Sequence, residues 1–333
     1  MKAAFLDQPG PPEVIRTGEL PTPTPGAGEV LVRVTAASVN PIDTYIRAGL
    51  VAMTLPRPFI PGCDLAGVVE AVGAGVKRFH VGDRVWGSNQ GLLGRQGTFA
   101  EYAAVGEQWL YPTPTNVADE QAAAAALVGI TAHLGLFGCA KLHAGDTVFV
   151  NGGTGGVGSM VIQMAKAAGA RVVTTVGSAE KATLAAELGA DAVINYKTDD
   201  VAAKVKEAAG GAGITVWYET QPPTDLDRTV ELMAPRGRVV VMAGRAARPV
   251  FPNGPFYVKG LSLHGFAMFN ATPDEQRVCG ADLAQWLGQG KIKALIGARF
   301  PLADAAKAHA LQEENTGKKA GTLTGKIVVL PSV

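Results

Sequence analysis

The run Val148-Phe149-Val150-Asn151-Gly152-Gly153-Thr154-Gly155-Gly156-Val157-Gly158 constrains this chain more than any other segment. An apolar strand leads straight into glycines spaced G-x-G-x-x-G at Gly153, Gly155 and Gly158, and residues 159–166 continue as a helical pattern. The first glycine permits a tight turn and the second a close backbone approach to a ligand. The third lets helix pack against strand, while the helix N-terminus offers unpaired N–H groups and a positive dipole end. The run therefore predicts a pyrophosphate cradle built from Gly153, Thr154, Gly155, Gly156, Val157 and Gly158. Glycine supplies 42 of 333 residues, so the spacing alone is a weak signal. The strand before it and the helix after it give it weight.

The texture around the run supports a parallel sheet. Strand candidates at 147–150, 171–176, 192–195, 215–218, 238–242 and 261–264 alternate with helical patterns, clearest at 182–188, 201–209 and 226–233. Such alternation predicts a doubly wound α/β sheet covered on both faces. The first third reads differently, as short strands (30–34, 67–72, 99–103) punctuated by proline and glycine. After about residue 266 come a helix at 273–287, a strand, another helix and a last strand at 326–330. The expected division is a β-rich domain at 1–124, a nucleotide domain at 125–265 inserted into it, and a return to the first domain at 266–333.

Composition removes several alternatives. At 47% hydrophobic and 18% charged the chain can bury a large core, and a net charge of +1 gives no field for nucleic acid or anionic membrane. Residues 122–140 carry no formal charge except through His133, yet they are rich in alanine and glycine, which predicts a buried helix rather than a membrane span. No basic and apolar leader is expected at Lys2. Three dispersed cysteines, Cys63, Cys139 and Cys279, suit a reducing cytoplasm.

Cofactor choice is read about 20 residues past the glycines, where an acid would bind the ribose hydroxyls of NAD. This chain has Thr175-Val176-Gly177-Ser178-Ala179-Glu180-Lys181 there, with no acid closing the strand. A hydroxyl at Ser178 and a cation at Lys181 suit the 2′-phosphate of NADPH. Ser178 as a plain helix cap and Lys181 as a solvated residue are the competing readings. Metal ligands are scarce: three cysteines and five isolated histidines offer no zinc-site spacing, and Cys63 beside Asp64 is the sole hint of one. No metal site is expected. Without a Lewis acid the favoured acceptors take hydride readily, as quinones and conjugated carbonyls do.

Residues 39–49 (Val-Asn-Pro-Ile-Asp-Thr-Tyr-Ile-Arg-Ala-Gly), 61–69, 151–158, 177–181 and 324–326 together resemble the zinc-free quinone oxidoreductases of the medium-chain dehydrogenase/reductase superfamily, the group that includes zeta-crystallin. The resemblance spans nearly the whole chain. It implies a Rossmann-type sheet inserted in a GroES-like catalytic domain, NADPH-dependent reduction of a quinone, and a homodimer or homotetramer, with the edge strand at 261–264 as the candidate interface. It implies that Asn40 and Thr131 lie near the nicotinamide and its ribose, that Ser178, Lys181 and Tyr196 surround the 2′-phosphate, and that Lys326 reaches the cofactor. Cys63 then stands where zinc-dependent relatives keep a histidine. Catalytic candidates are Asn40, with Tyr45 and His133 as proton sources. Each also has a plainer role: Asn40 as an Asn-Pro turn former, Thr131 bonded to its own helix, Tyr196 as a turn aromatic and His133 as a core histidine. Asp64 is expected to pair with an arginine such as Arg47. Val51 and His133 replace aromatics that many relatives carry at the expected substrate pocket. Reduction of α,β-unsaturated carbonyls is the alternative activity. A non-catalytic structural or RNA-binding role is the alternative of another class, opposed by the intact glycine loop and the near-zero charge.

Overall fold

The structure, a computed structural model, describes residues 1–318 and 320–331. It divides into two compact units, one formed by Met1–Val128 with the segment from Thr272 onward, the other by Gly129–Ala271.

In the second unit, six strands among the described residues form one sheet. Their spatial order is Ala192–Asn195, Arg171–Val176, Thr147–Asn151, Ile214–Glu219, Met233–Val241 and Ser262–Gly265. Every neighbouring pair is parallel. The helices Gly156–Ala167, Ala179–Glu187, Val201–Ala208 and Leu226–Leu232 connect successive strands. The order runs outward in both directions from the glycine-loop strand, and ligands of such sheets bind at that reversal, beyond the carboxyl ends of the strands. Burial on both faces explains the β-branched runs. Phe149 and Trp217, on adjacent strands, stack at 4.0 Å in a core shared with Val173, Ile194, Val205 and Val239. The strand expected at 238–242 begins earlier, at Met233, because a register shift pairs Ile214 with Met233. The helix expected at 182–188 starts at Ala179, because Ser178 caps it.

In the first unit, seven strands among the described residues form the main sheet. The path runs Ile296–Pro301, Lys326–Leu330, Glu29–Val39, Asp64–Val72, Arg84–Gly87 and Leu110–Pro112, with Tyr102–Gly106 also paired to Glu29–Val39. The strand expected at 99–103 is displaced to Tyr102–Gly106. Its first residues instead bridge to the N-terminal strand, with the Ala4 N–H donating to the Phe99 carbonyl at 2.8 Å. The last strand lies antiparallel to Glu29–Val39, which ties the C-terminal segment into this unit.

The apolar stretch folds as Asp119–His133, extended by a π-helical turn, Leu134–Cys139. It is long and apolar enough to cross a membrane, but 72% of its most apolar window is buried, and Ala122 to Ala126 are wholly inaccessible.

Candidate functional site

Sheet register assembles a buried polar layer in the first unit. Ser38 lies opposite Asp64, and Val39 opposite Ile327, so Asn40 meets Lys326 just past the paired residues. Asp64 Oδ2 accepts from Ser38 Oγ at 2.8 Å and from Asn40 Nδ2 at 2.7 Å, and Oδ1 accepts from Ser88 Oγ at 2.7 Å and the Leu127 N–H at 3.1 Å. The Lys326 ammonium donates to Asn40 Oδ1 and to the Val39 carbonyl at 2.6 Å, and stands 3.9 Å from Asp64 Oδ2. Asn40, Asp64 and Lys326 are all buried. Both ends of the Asn40 carboxamide are thus held by the protein, and Lys326 is turned inward onto Asn40. Burial pushes the Asp64 carboxyl up and the Lys326 ammonium down, each opposed by the other's charge. Arg47 does not pair with Asp64 as expected. Its guanidinium bonds the Gly10 carbonyl at 2.6 Å and forms an ion pair with Glu313, because the helix Pro41–Arg47 points its last residue toward the helix Ala305–Thr316.

Two titrating groups in this unit carry opposite pH signatures. Asp43 accepts the Asn40 N–H at 2.7 Å, and burial, with the Asp64 charge adding to it, raises its carboxyl to about 7. His309 packs edge-on to Phe99 at 5.6 Å; burial and then the Arg47 charge lower its imidazole to about 3. Between pH 6.5 and 3 the unfolded chain binds a proton at His309 that the folded chain refuses, so this residue's contribution falls as pH falls, by about 1.4 kcal/mol per unit. Asp43 has the reverse sign: between about 4 and 7 the folded chain keeps a proton that the unfolded chain releases, so stability is lost as pH rises. Relative to wild type, His309→Phe should therefore gain stability on acidification below 6.5, and Asp43→Asn should gain it on alkalinisation from 4 to 7. Urea midpoints against pH check both, and parallel curves for wild type and variant would refute the assignment. Tyr45 lies half-buried on the same short helix as Asp43. The Cys63 thiol is buried and pushed up by burial and by Asp43 and Asp64, so it is held as a neutral thiol.

The second unit carries the glycine loop. Gly152 is left-handed (φ +80°), its N–H donates to Thr175 Oγ1 at 3.0 Å, and the Gly153 N–H donates to the Thr175 carbonyl at 3.0 Å. A Cβ on Gly153 would lie 2.2 Å from Thr174 Oγ1, and one on Gly158 would lie 2.2 Å from the Gly152 carbonyl oxygen. Internal packing therefore requires both glycines. Gly155 differs: it caps the helix Gly156–Ala167 in extended conformation, and its Cβ would meet nothing closer than 3.4 Å. The protein leaves room there that a ligand can use. No side chain caps this helix, so Thr154, Gly156 and Val157 complete a backbone cradle that fits a pyrophosphate.

At the end of the next strand, Ser178 Oγ accepts the Lys181 N–H at 3.3 Å, so Ser178 does cap its helix. Tyr196 is half-exposed, and its hydroxyl lies where a Gly177 Cβ would clash, at 2.4 Å. Burial and then the charge of Lys197 lower the Lys181 ammonium. Two lysines, a phenol and a hydroxyl thus follow the carboxyl ends of two neighbouring strands, together with Glu180, whose charge favours the Lys181 ammonium. Lys197 was missed in the sequence, although it directly follows Tyr196. Thr131 and His133 lie on the long helix: the Thr131 carbonyl accepts from Tyr218 Oη at 2.8 Å, and the buried His133 ring packs on Phe137 at 4.8 Å. Among the described residues no group of three or more His, Cys, Asp or Glu is placed to hold a metal ion.

Known proteins resemble this chain in sequence and fold. Residues 26–115 match the alcohol dehydrogenase GroES-like domain and residues 156–284 the zinc-binding dehydrogenase model. The rat (Rattus norvegicus) quinone oxidoreductase is 34% identical over 331 residues, covering 99% of this chain and 98% of its own. The solved structure of Escherichia coli quinone oxidoreductase complexed with NADPH superposes with a TM-score of 0.86 at 28% identity, covering 99% of this chain and all of its own. That of an NAD-dependent alcohol dehydrogenase superposes with a TM-score of 0.88 at 32% identity over the same shares.

Proposed function

As this chain belongs to the quinone oxidoreductases of the medium-chain dehydrogenase/reductase superfamily, and is an oxidoreductase, we propose that it reduces a quinone with NADPH and without zinc. The placing of Ser178, Lys181, Tyr196 and Lys197 after two neighbouring strands, neither of which ends in an acid, carries the cofactor reading, with the Glu180 charge on Lys181 as its counterweight. Burial and then the Lys197 charge disfavour the Lys181 ammonium, and a bound 2′-phosphate dianion would offset both. The loop of Gly153 to Gly158 would hold the pyrophosphate, and Asn40, Thr131 and Lys326 would order the nicotinamide end, Lys326 by way of Asn40. Bound NADPH supplies hydride, or electrons in steps, and a reduced quinone takes its protons from solvent. The chain's own task is then alignment and exclusion of water, with Tyr45 and His133 as the candidate proton sources.

Steady-state assays with NADPH and a panel of small quinones test this; absence of cofactor oxidation with every member would reject it. An enone panel beside it decides between quinones and α,β-unsaturated carbonyls. Lys181→Ala is expected to raise KM for NADPH about tenfold or more, the size of one lost charge-assisted contact, and to leave KM for NADH within about twofold. Equal effects on the two cofactors would refute the phosphate role. A homo-oligomer belongs to the same proposal. The strand Ser262–Gly265 ends the sheet with one side unpaired among the described residues, and Leu263, Tyr257 and Val258 stand exposed in and just before it. Light scattering that returned a monomer would remove the oligomer. Cys63, Cys139 and Cys279 form no disulfide, which supports a cytoplasmic setting.

A further inference from the structure

The carboxyl ends of three adjacent strands hold a chain of hydrogen bonds that neither the loop motif nor the proposed phosphate site accounts for. Parallel register puts Glu219 beside Asn151, and Thr175 is the penultimate residue of the strand on the other side. The Gly152 N–H donates to Thr175 Oγ1 at 3.0 Å, the Thr175 hydroxyl donates to Asn151 Oδ1 at 2.6 Å, and Asn151 Nδ2 donates to Glu219 Oε1 at 2.9 Å. Glu219 is buried and also accepts the Gln221 N–H at 2.8 Å and the Trp217 indole N–H at 3.3 Å. Every hydrogen in the chain therefore points toward one acceptor-only group.

We infer that Glu219 is a positioning residue for dinucleotide binding, acting on the glycine loop through Asn151 and Thr175. A carboxylate at the end of the relay fixes its direction. With three donors already aimed at it, a carboxamide would set N–H against N–H in at least one contact. The fixed direction orients the Asn151 amide and commits the Thr175 hydroxyl to it. The oxygen of Thr175 is then left to accept the Gly152 N–H, which holds Gly152 in its left-handed turn. Thr220 adds a second tie, its hydroxyl donating to the Asn151 carbonyl at 2.5 Å. The loop is thereby set before any ligand arrives, so binding spares the entropy of ordering it. Burial pushes the Glu219 carboxyl up, and the donors from Gln221, Asn151 and Trp217 oppose that push. This rests on the reading of the loop as a dinucleotide site, but not on the choice of NADPH or of acceptor, because the pyrophosphate is common to both nicotinamide cofactors.

The test is fluorescence titration of the full-length protein with NADPH and with NADH, alongside kcat at saturating cofactor and the melting temperature. Glu219→Met removes the acceptor at the end of the relay, Thr175→Val removes its middle, and Thr175→Ser restores the hydroxyl. The expected result is a rise in Kd of about tenfold for both cofactors in Glu219→Met and Thr175→Val, the loss of about one hydrogen bond. Saturated kcat should stay within about twofold, and Thr175→Ser should match wild type. Unchanged Kd in Glu219→Met and Thr175→Val, or Thr175→Ser as weak as Thr175→Val, would overturn the relay while leaving the dinucleotide reading intact. Wild-type protein that binds neither nucleotide would overturn both. Should Glu219→Met fail to fold, the valine and serine variants decide alone.

Discussion

Lys326→Met should lower the free energy of unfolding by about 3 kcal/mol, toward the lower end of what removing one partner of a buried ion pair costs. The loss arises because Asp64 stays behind, wholly buried, without its cation. Four donors remain to it, from Ser38, Asn40, Ser88 and the Leu127 N–H, and they keep the cost from reaching the upper end. Methionine matches the length of the lysine stem, so a cavity contributes little. The Asn40 Oδ1 atom loses its donor in the same step. Urea denaturation near pH 7 reads the effect. Asp64→Asn with Lys326→Met should cost less than the two single changes added together, because the double variant strands neither charge. A single-variant loss under about 1 kcal/mol, or strict additivity, would show that the pair does not hold this layer together.

The same layer shows where sequence reading stops. Asn40 and Lys326 are 286 positions apart, and each was legible as a motif residue, yet only antiparallel register with Glu29–Val39 brings the last strand against the residue after Val39. Nothing local predicts which cation Asp64 takes. The nearby Arg47 looked suitable, but its helix directs it to Glu313. In the other unit the sheet was readable almost strand by strand, because parallel strands buried on both faces must be apolar runs, and glycines fix the first turn. The misjudged ends, at Met233 and Ala179, come from a register shift and a capping hydroxyl, neither of which alters hydrophobic period. Lys197 escaped notice for a related reason. It sits in a turn with no periodicity to assign it a face, and only folding places its charge close enough to affect Lys181. Glu219 lies one residue beyond the strand expected at 215–218, and its tie to the glycine loop runs through Asn151 and Thr175 on two other strands.

Gly155→Ala and Gly158→Ala should separate the two tasks of one motif. In Gly158→Ala the new methyl would lie 2.2 Å from the Gly152 carbonyl oxygen and 3.1 Å from the Gly153 Cα. Both are backbone atoms, so no side chain can swing aside, and the start of the helix must shift from the strand. Overpacking of this kind costs about 1–3 kcal/mol, and the displaced loop loses its geometry along with that stability. Thermal unfolding should fall by several degrees, on the order of the 2–4 °C per kcal/mol expected for a chain above 150 residues. Gly155→Ala meets no such obstacle. The residue has φ −74°, which any amino acid adopts, and its methyl would rest 3.4 Å from the Gly152 carbonyl oxygen in ordinary contact. The melting temperature should therefore hold within about 1 °C, since alanine at an unstrained position costs little. In the proposed dinucleotide site the methyl would instead occupy space on the face where backbone N–H groups meet phosphate oxygens, and displacing a phosphate by a carbon's width would break more than one charge-assisted bond at once. Kd for NADPH and for NADH should rise about a hundredfold, measured by the same fluorescence titration. A Gly155→Ala protein that keeps wild-type affinity would mean that no ligand backbone approaches the loop at this point, and the cradle would then be a packing device alone.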